Sequence, residues 1–341
     1  MLNFKKNDLI TGYYGYSNFG DDLFCDILYS ALSKSDSLNP KVIKNDSSKS
    51  RLFFKGIDIF SNLLNARSIT LGGGSILGLN SKASRRGIEY AFSKASIVSY
   101  NAIGVGLLNP QKKIPENFIN AMDYVGLRSI REFELLSKTF SNVHYTADIA
   151  YSLKKYLHYD SISPSSSSKY VGIILTDVGF IGSRSNADML DFVKSVLNSF
   201  HSSTIFNIYN FQRNRLEDRI AINKLISCLK SINADFNYIE HENTLETISS
   251  LSNNEFIISD RLHGAILSHI LDIPFILSNH HTKCLDFLLD IGHPFIPQEG
   301  YVLSPQIVEN LKYSSETLRS SKKEFENTSI SSIEDWKASL I

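Results

Sequence analysis

Short apolar runs that end on glycine alternate along this chain with stretches in which apolar residues recur every three or four positions. Leu9–Tyr14 is such a run, closing at Gly15. Over Asp21–Lys34, Leu23, Phe24, Ile27, Leu28, Ala31 and Leu32 share one face, which predicts a helix. Ser68–Leu71 reads as a strand stopping at Gly72-Gly73-Gly74, and Ala95–Val105 as a run interrupted by Asn101 and closing with Gly104 and Gly106. Met122–Leu127 precedes a helical Ser129–Thr139, and Val143–Ala150 reads as strand plus loop. The alternation resumes in the second half. Strands are expected at Tyr170–Leu175, Thr204–Tyr209, Phe256–Ser259 and Pro274–Ser278, and helices at Asp188–Phe200, Glu217–Lys230 and Leu262–Leu271.

Strands that alternate with helices need crossover connections, so each half predicts a mostly parallel sheet. The fold class is therefore α/β, with two Rossmann-like doubly wound domains. Residues 1–160 form the N-terminal domain on this reading and residues 170–310 the C-terminal domain. Between them, the serine-rich stretch 161–169, with Pro164 inside it, has little to bury and reads as a linker. Residues 311–341 form a polar tail with helical spacing near Ser332–Leu340, able to pack back on the first domain. Two such domains place ligands outside the carboxyl ends of their strands, in a cleft between them.

Composition narrows the function classes. Over 341 residues, 35 Lys+Arg balance 35 Asp+Glu, which argues against a surface that tracks nucleic-acid phosphates. No stretch approaches the roughly 18–20 uninterrupted apolar residues of a membrane span, and the N-terminus lacks the apolar core of a signal peptide. Three scattered cysteines, Cys25, Cys228 and Cys284, lack CxxC spacing, so buried thiols in a reducing compartment are expected, with no disulfide framework and no metal site. The expected location is the cytoplasm.

Chemistry-bearing residues cluster where strands give way to helices. In Thr11–Phe24, glycines 12, 15 and 20 let the backbone turn sharply before a helix, and Asn18 and Asp21 could hold sugar hydroxyls. Asp21 and Asp22 read equally well as first-turn acids that complement the helix dipole. Leu71-Gly-Gly-Gly-Ser75 offers Gly73 and Gly74 as a nest of N–H donors, or simply as a tight turn. Arg128 stands at a strand-to-helix boundary, where its planar fork could enter the cleft; Arg131 reads as a solvated helix-face residue. Ser259-Asp-Arg-Leu-His-Gly264 is the most informative segment. Asp260 could cap the following helix, leaving Arg261 and His263 at its first turn, suited to an anion that also exchanges a proton. Lys283 could reach back to that anion or lie on a helix face, while His280 and His281 are badly spaced for joint metal binding.

Five segments, Tyr13–Asp22, Leu71–Ser75, Leu127-Arg128, Thr146–Ala150 and Ser259–Ala265, occur in the order found in polysaccharide pyruvyl transferases, and the chain resembles that family from about Gly12 to Gly292. The resemblance implies a two-domain fold like the GT-B glycosyltransferases, with the acceptor on the N-terminal side and the donor on the C-terminal side. It implies transfer of the carboxyvinyl carbons of phosphoenolpyruvate onto a sugar as a cyclic pyruvate ketal, with release of phosphate and without a metal or redox cofactor. The acceptor would be a saccharide of a surface polysaccharide or its precursor, free or lipid-linked, and a lipid-linked acceptor would bring the protein to a membrane surface without crossing it. Carried over residue by residue, His263 would be the general acid, Arg261 and Arg128 would hold phosphate and carboxylate, Lys283 would assist, and Asp21 would orient or deprotonate the acceptor hydroxyl. Ser129 departs from the pattern, which usually has aspartate there and so a carboxylate beside the arginine. Two other readings stand beside this one: a nucleotide-sugar glycosyltransferase on the same architecture, and a non-catalytic saccharide-binding homologue.

Overall fold

The computed structural model describes residues 6–43, 65–75, 99–107, 116–159, 169–201 and 203–341. The chain divides into two units. The first takes residues 1–16, 20–158 and 325–341; the second takes 17–19 and 159–324. The linker expected at 161–169 falls almost wholly outside the described residues, as does the start of the Ala95–Val105 run.

In the first unit, β1 (Asn7–Thr11), β2 (Pro40–Ile43), β3 (Ala66–Gly72), β4 (Ser99–Val105), β5 (Tyr124–Leu127) and β6 (Val143–Tyr145) form one parallel sheet in the order β2-β1-β3-β4-β5-β6. Leu9, Ile69, Tyr100, Ala102, Val125 and Leu127 are part of its core. The first strand starts earlier than its apolar run because Asp8, fully buried, is satisfied. Its carboxylate accepts from Ser68 Oγ at 2.7 Å, Asn39 N at 2.8 Å and Arg67 Nη2 at 2.8 Å. Tyr14, expected to continue that strand, instead turns inward and donates its hydroxyl to Gly72 O at 2.7 Å, joining the loops after β1 and β3.

In the second unit, β7 (Tyr170–Ile174), β8 (Ile205–Asn210), β9 (Phe236–Glu240), β10 (Phe256–Ser259) and β11 (Phe275–Leu277) form a parallel sheet in the order β11-β10-β7-β8-β9. Val171, Ile173, Phe206, Ile208, Phe256 and Ile258 pack with Met189, Phe192 and Leu225 from the flanking helices. β2 and β9 were not expected. Each is an edge strand with few fully buried positions, so the apolar run that marks a central strand is missing. All three cysteines are buried, and none of them forms a disulfide. No helix among the described residues is long and apolar enough to cross a membrane.

The tail is not a separate module. Ser315–Ser339 is one continuous helix, of which residues up to Glu324 group with the second unit and Phe325 onward with the first. Within the first unit, Trp336 is fully buried and its indole N–H donates to Thr70 Oγ1 on β3 at 3.2 Å. Trp336→Ala removes that bond and leaves a cavity, so the first unit is expected to lose about 3–5 kcal/mol. Urea unfolding followed by circular dichroism checks this, and an unshifted midpoint would show that the helix does not brace β3.

Candidate functional site

Parallel strands send all their carboxyl ends to one edge, and in the second unit that edge gathers the loops after β7, β8, β10 and β11. Asp260 ties three of these loops together. It is buried, its backbone N–H donates to Ile174 O at 2.8 Å, and its carboxylate accepts from Gly182 N at 3.0 Å, Ile181 N at 3.2 Å and the Ser278 hydroxyl. Asp260 therefore does not cap the helix Leu262–Ile270, as the sequence suggested. Arg261 occupies the cap position without a side-chain cap bond, and its backbone N–H donates to Ser259 Oγ at 3.0 Å. The three donors oppose the burial that pushes the Asp260 carboxyl up to about 6. Gly264 lets this helix lie close on the sheet, since a Cβ there would stand 2.4 Å from Ile174 Cδ1 and 2.5 Å from Ser259 Oγ.

Arg261 reaches across the strand ends. Its Nη2 donates to Asp218, a carboxylate 1% exposed, and to Gln212 Oε1 at 3.0 Å, while Nε points to Leu175 O at 3.4 Å. Burial lowers its pKa, and the Asp218 charge opposes that. Asp218 Oδ1 in turn accepts from Thr176 Oγ1 at 2.9 Å and Asp177 N at 3.2 Å, and lies 3.7 Å from Arg215 Nε. Asp218, Gln212 and Arg215 escaped the sequence reading. They lie on the loop after β8 and the helix Leu216–Ser231, 43 or more positions from Arg261, and only the strand order brings them together. Asn18 joins this group through its backbone, which forms an antiparallel bridge with Gln212.

First-turn charge divides the helices; Leu153–Leu157 and Pro305–Tyr313 open without acids, and so do two neighbours in the second unit. The helices that start at Phe19, Ile130, Asn186, Leu216 and Thr244 carry Asp or Glu in the first turn, matching the positive end of the helix dipole. The helices Leu262–Ile270 and Thr282–Asp290, which follow the paired strands β10 and β11, carry none. Arg261 and half-buried His263 stand at the start of one, His281 and exposed Lys283 at the start of the other. His280 registers the result: burial first, then the charges of His281, Lys283 and Arg261, depress its pKa to about 4. Among the described residues no group of three or more His, Cys, Asp or Glu side chains could hold a metal ion.

The remaining expected residues belong to the first unit. Gly73 and Gly74 both have positive φ, but the Gly73 N–H donates to Ile103 O at 2.9 Å, and a Cβ on Gly73 would stand 1.9 Å from Phe24. That turn is a packing joint rather than an open nest at Gly73. Arg128, 7% exposed, donates from Nη2 to Ser75 Oγ at 2.9 Å and lies 3.8 Å from Asp148 Oδ2. Ser129 caps the helix Ile130–Leu136. The carboxylate beside Arg128 comes instead from Asp148, within the Thr146–Ala150 segment, and burial raises it to about 6. Asp21 is buried in the first turn of its helix, where it and Asp22 add to the burial that raises Tyr14.

Asp260 keeps its proton to about pH 6 in the folded chain, whereas an unfolded carboxyl loses it near pH 4. Its contribution to stability therefore falls as pH rises through that window, by on the order of 3 kcal/mol. Buried histidines such as His269 and His280, held down to about 4, act in the opposite direction. The carboxylate is isolated by the difference between the wild type and Asp260→Asn, which is expected to shrink by about that amount from pH 4 to 7. Urea midpoints measured across this range check it, and a pH-independent difference would contradict it.

Solved structures with the same fold include UDP-GlcNAc 2-epimerase from Neisseria meningitidis bound to UDP-GlcNAc, at TM-score 0.59 and 12% identity over 97% of this chain and 100% of that one. Anabaena HepE in complex with UDP and glucose aligns at TM-score 0.57 and 8% identity over 98% of both chains. The S. aureus MnaA–UDP structure aligns at 0.56 and 10%, over 96% of this chain and 91% of that one. At these identities the likeness establishes a GT-B-like α/β fold. A sequence comparison with curated proteins finds no match. The family model for polysaccharide pyruvyl transferase matches residues 18–282, most of the chain and all of the strand-end cluster from Thr176 to His281. The chain belongs to the polysaccharide pyruvyl transferase family.

Proposed function

We propose that this protein transfers the enolpyruvyl carbons of phosphoenolpyruvate to two hydroxyls of one saccharide unit, forming a cyclic pyruvate ketal and releasing phosphate. The observation that carries the reading is the pair of adjacent helix starts after β10 and β11, which bear Arg261, His263, His281 and Lys283 and no first-turn acid, whereas the helices Asn186–Ser199, Leu216–Ser231 and Thr244–Ser252 of the same unit open with acids. Cations at the positive end of a helix dipole are costly unless an anion offsets them, and phosphoenolpyruvate brings a phosphate and a carboxylate on three carbons.

In this reaction the methylene carbon of the donor gains a proton while its neighbour bonds to a sugar oxygen. A second hydroxyl of the same sugar then replaces phosphate at that carbon. Of the two hydroxyl protons given up, one balances the new methyl group and the other leaves with phosphate, so donor and acceptor suffice. His263 delivers the proton to the methylene carbon, a role that suits imidazole near neutral pH. Arg261, steadied by Asp218 and Gln212, holds the donor's anionic end and offsets charge as phosphate departs.

Mass spectrometry of candidate glycan intermediates incubated with phosphoenolpyruvate is expected to show the pyruvate ketal increment together with phosphate release. Incorporation of sugar from a nucleotide-sugar panel instead would establish the glycosyltransferase reading. His263→Gln is expected to keep the wild-type circular dichroism spectrum and lose about 10²–10⁴ in phosphate release. Near-wild-type release would remove His263 as the proton donor.

A further inference from the structure

We propose that Arg215 is a second donor-binding guanidinium, coupled to Arg261 through the buried Asp218 carboxylate, and that the two forks together receive a small ligand carrying both a phosphate and a carboxylate. The proposal rests on the function argued above and adds a residue to it. A donor with two anionic groups needs more than one fork, and Arg128 is 7% exposed and engaged with Ser75 and Asp148 in the first unit. In the second unit Asp218 divides its oxygens between two arginines. Oδ2 takes Arg261 Nη2, and Oδ1 lies 3.7 Å from Arg215 Nε. Donors from Thr176 and Asp177 complete the shell of this buried carboxylate, so the acid that stands between the two forks is held in place.

The two forks are held differently. Arg261 and Asp218 form a buried pair, costly to break. The other partners of Arg215 are Asp177, at 2.6 Å from Nη2 with side-chain exposures of 34% and 27%, and the exposed Glu217, 3.9 Å from Nε. A pair that wet contributes little and can be exchanged for a ligand anion. In both arginines the hydrogen bonds fall on Nε or Nη2. Nη1 makes none among the described residues, and the two side chains keep exposures of 15% for Arg261 and 34% for Arg215. Each fork therefore keeps one NH₂ for a ligand while its other side is held by the protein. Guanidinium suits this double duty because its donors lie in a fixed plane and point to different sides.

Isothermal titration calorimetry of the full chain with phosphoenolpyruvate, and separately with inorganic phosphate, tests the pairing. Arg215→Ala is expected to weaken phosphoenolpyruvate at least about tenfold, the loss of one charge-assisted contact. Arg215→Lys, which keeps the charge without the fork, should recover only part of that loss and guards against an unfolded alanine variant. If the wild type binds phosphoenolpyruvate and both variants bind it equally well, the pairing is overturned and the function stands. If the wild type binds inorganic phosphate but not phosphoenolpyruvate, the function falls. The pairing then survives only if Arg215→Ala weakens phosphate tenfold. Failure of the wild type to bind either ligand overturns both.

Discussion

A carboxylate removed from water has to be held by donors, and Asp260 shows how much architecture one such requirement can organise. Its oxygens collect two backbone N–H groups from the loop after β7 and a hydroxyl from the loop after β11, while its own backbone N–H is anchored on the end of β7. Lose any one donor and a buried acid is left under-satisfied, at a cost of about 1–3 kcal/mol. The three loops therefore hold their places together. The residue that follows, Arg261, inherits a fixed backbone position, which is the precondition for its side chain to find Asp218 two strands away.

Against that fixed frame the electrostatics run contrary to the habit of the rest of the chain. The sequence is neutral overall, and most of its helices open with acids, yet the two that follow β10 and β11 open with cations. Net charge conceals this because the compensation is spread elsewhere. At Arg261 the buried Asp218 carboxylate supplies part of that compensation on the spot. His280 lies in the same field: burial first, and then the neighbouring positive charge, makes its protonation harder.

Much of the sheet architecture was legible as apolar runs ending on glycine, because central strands of a parallel sheet are buried on both faces. Edge strands β2 and β9 were not legible, since a strand with one neighbour and a wet face has no such run. Arg261 and His263 in the second unit, and Arg128 in the first, were readable as strand-end residues because each sits directly where strand meets helix. Their carboxylate partners were not. Asp218 lies 43 positions before Arg261, and Asp148 lies 20 positions after Arg128, on separate strand ends. Such pairs are products of strand order rather than of local pattern. Asp260 misled for a related reason: its position looks like a helix cap, but a tertiary set of three donors outcompetes one cap bond.

The likeness at 8–12% identity to structures that hold UDP-GlcNAc, or UDP and glucose, establishes the fold and leaves the chemistry to the side chains placed on it. What distinguishes this chain is which side chains its strand ends carry, and among them the choice of arginine over lysine is decisive at position 261. A lysine there would present one ammonium, which the buried Asp218 would claim entirely. A guanidinium can satisfy Asp218 and Gln212 through one nitrogen and still offer another outward. Lys283 is exposed at the next helix start, where burial imposes no such geometry. Burial sets that demand: a cation sealed against a protein acid can offer a further donor only if it is planar and many-handed.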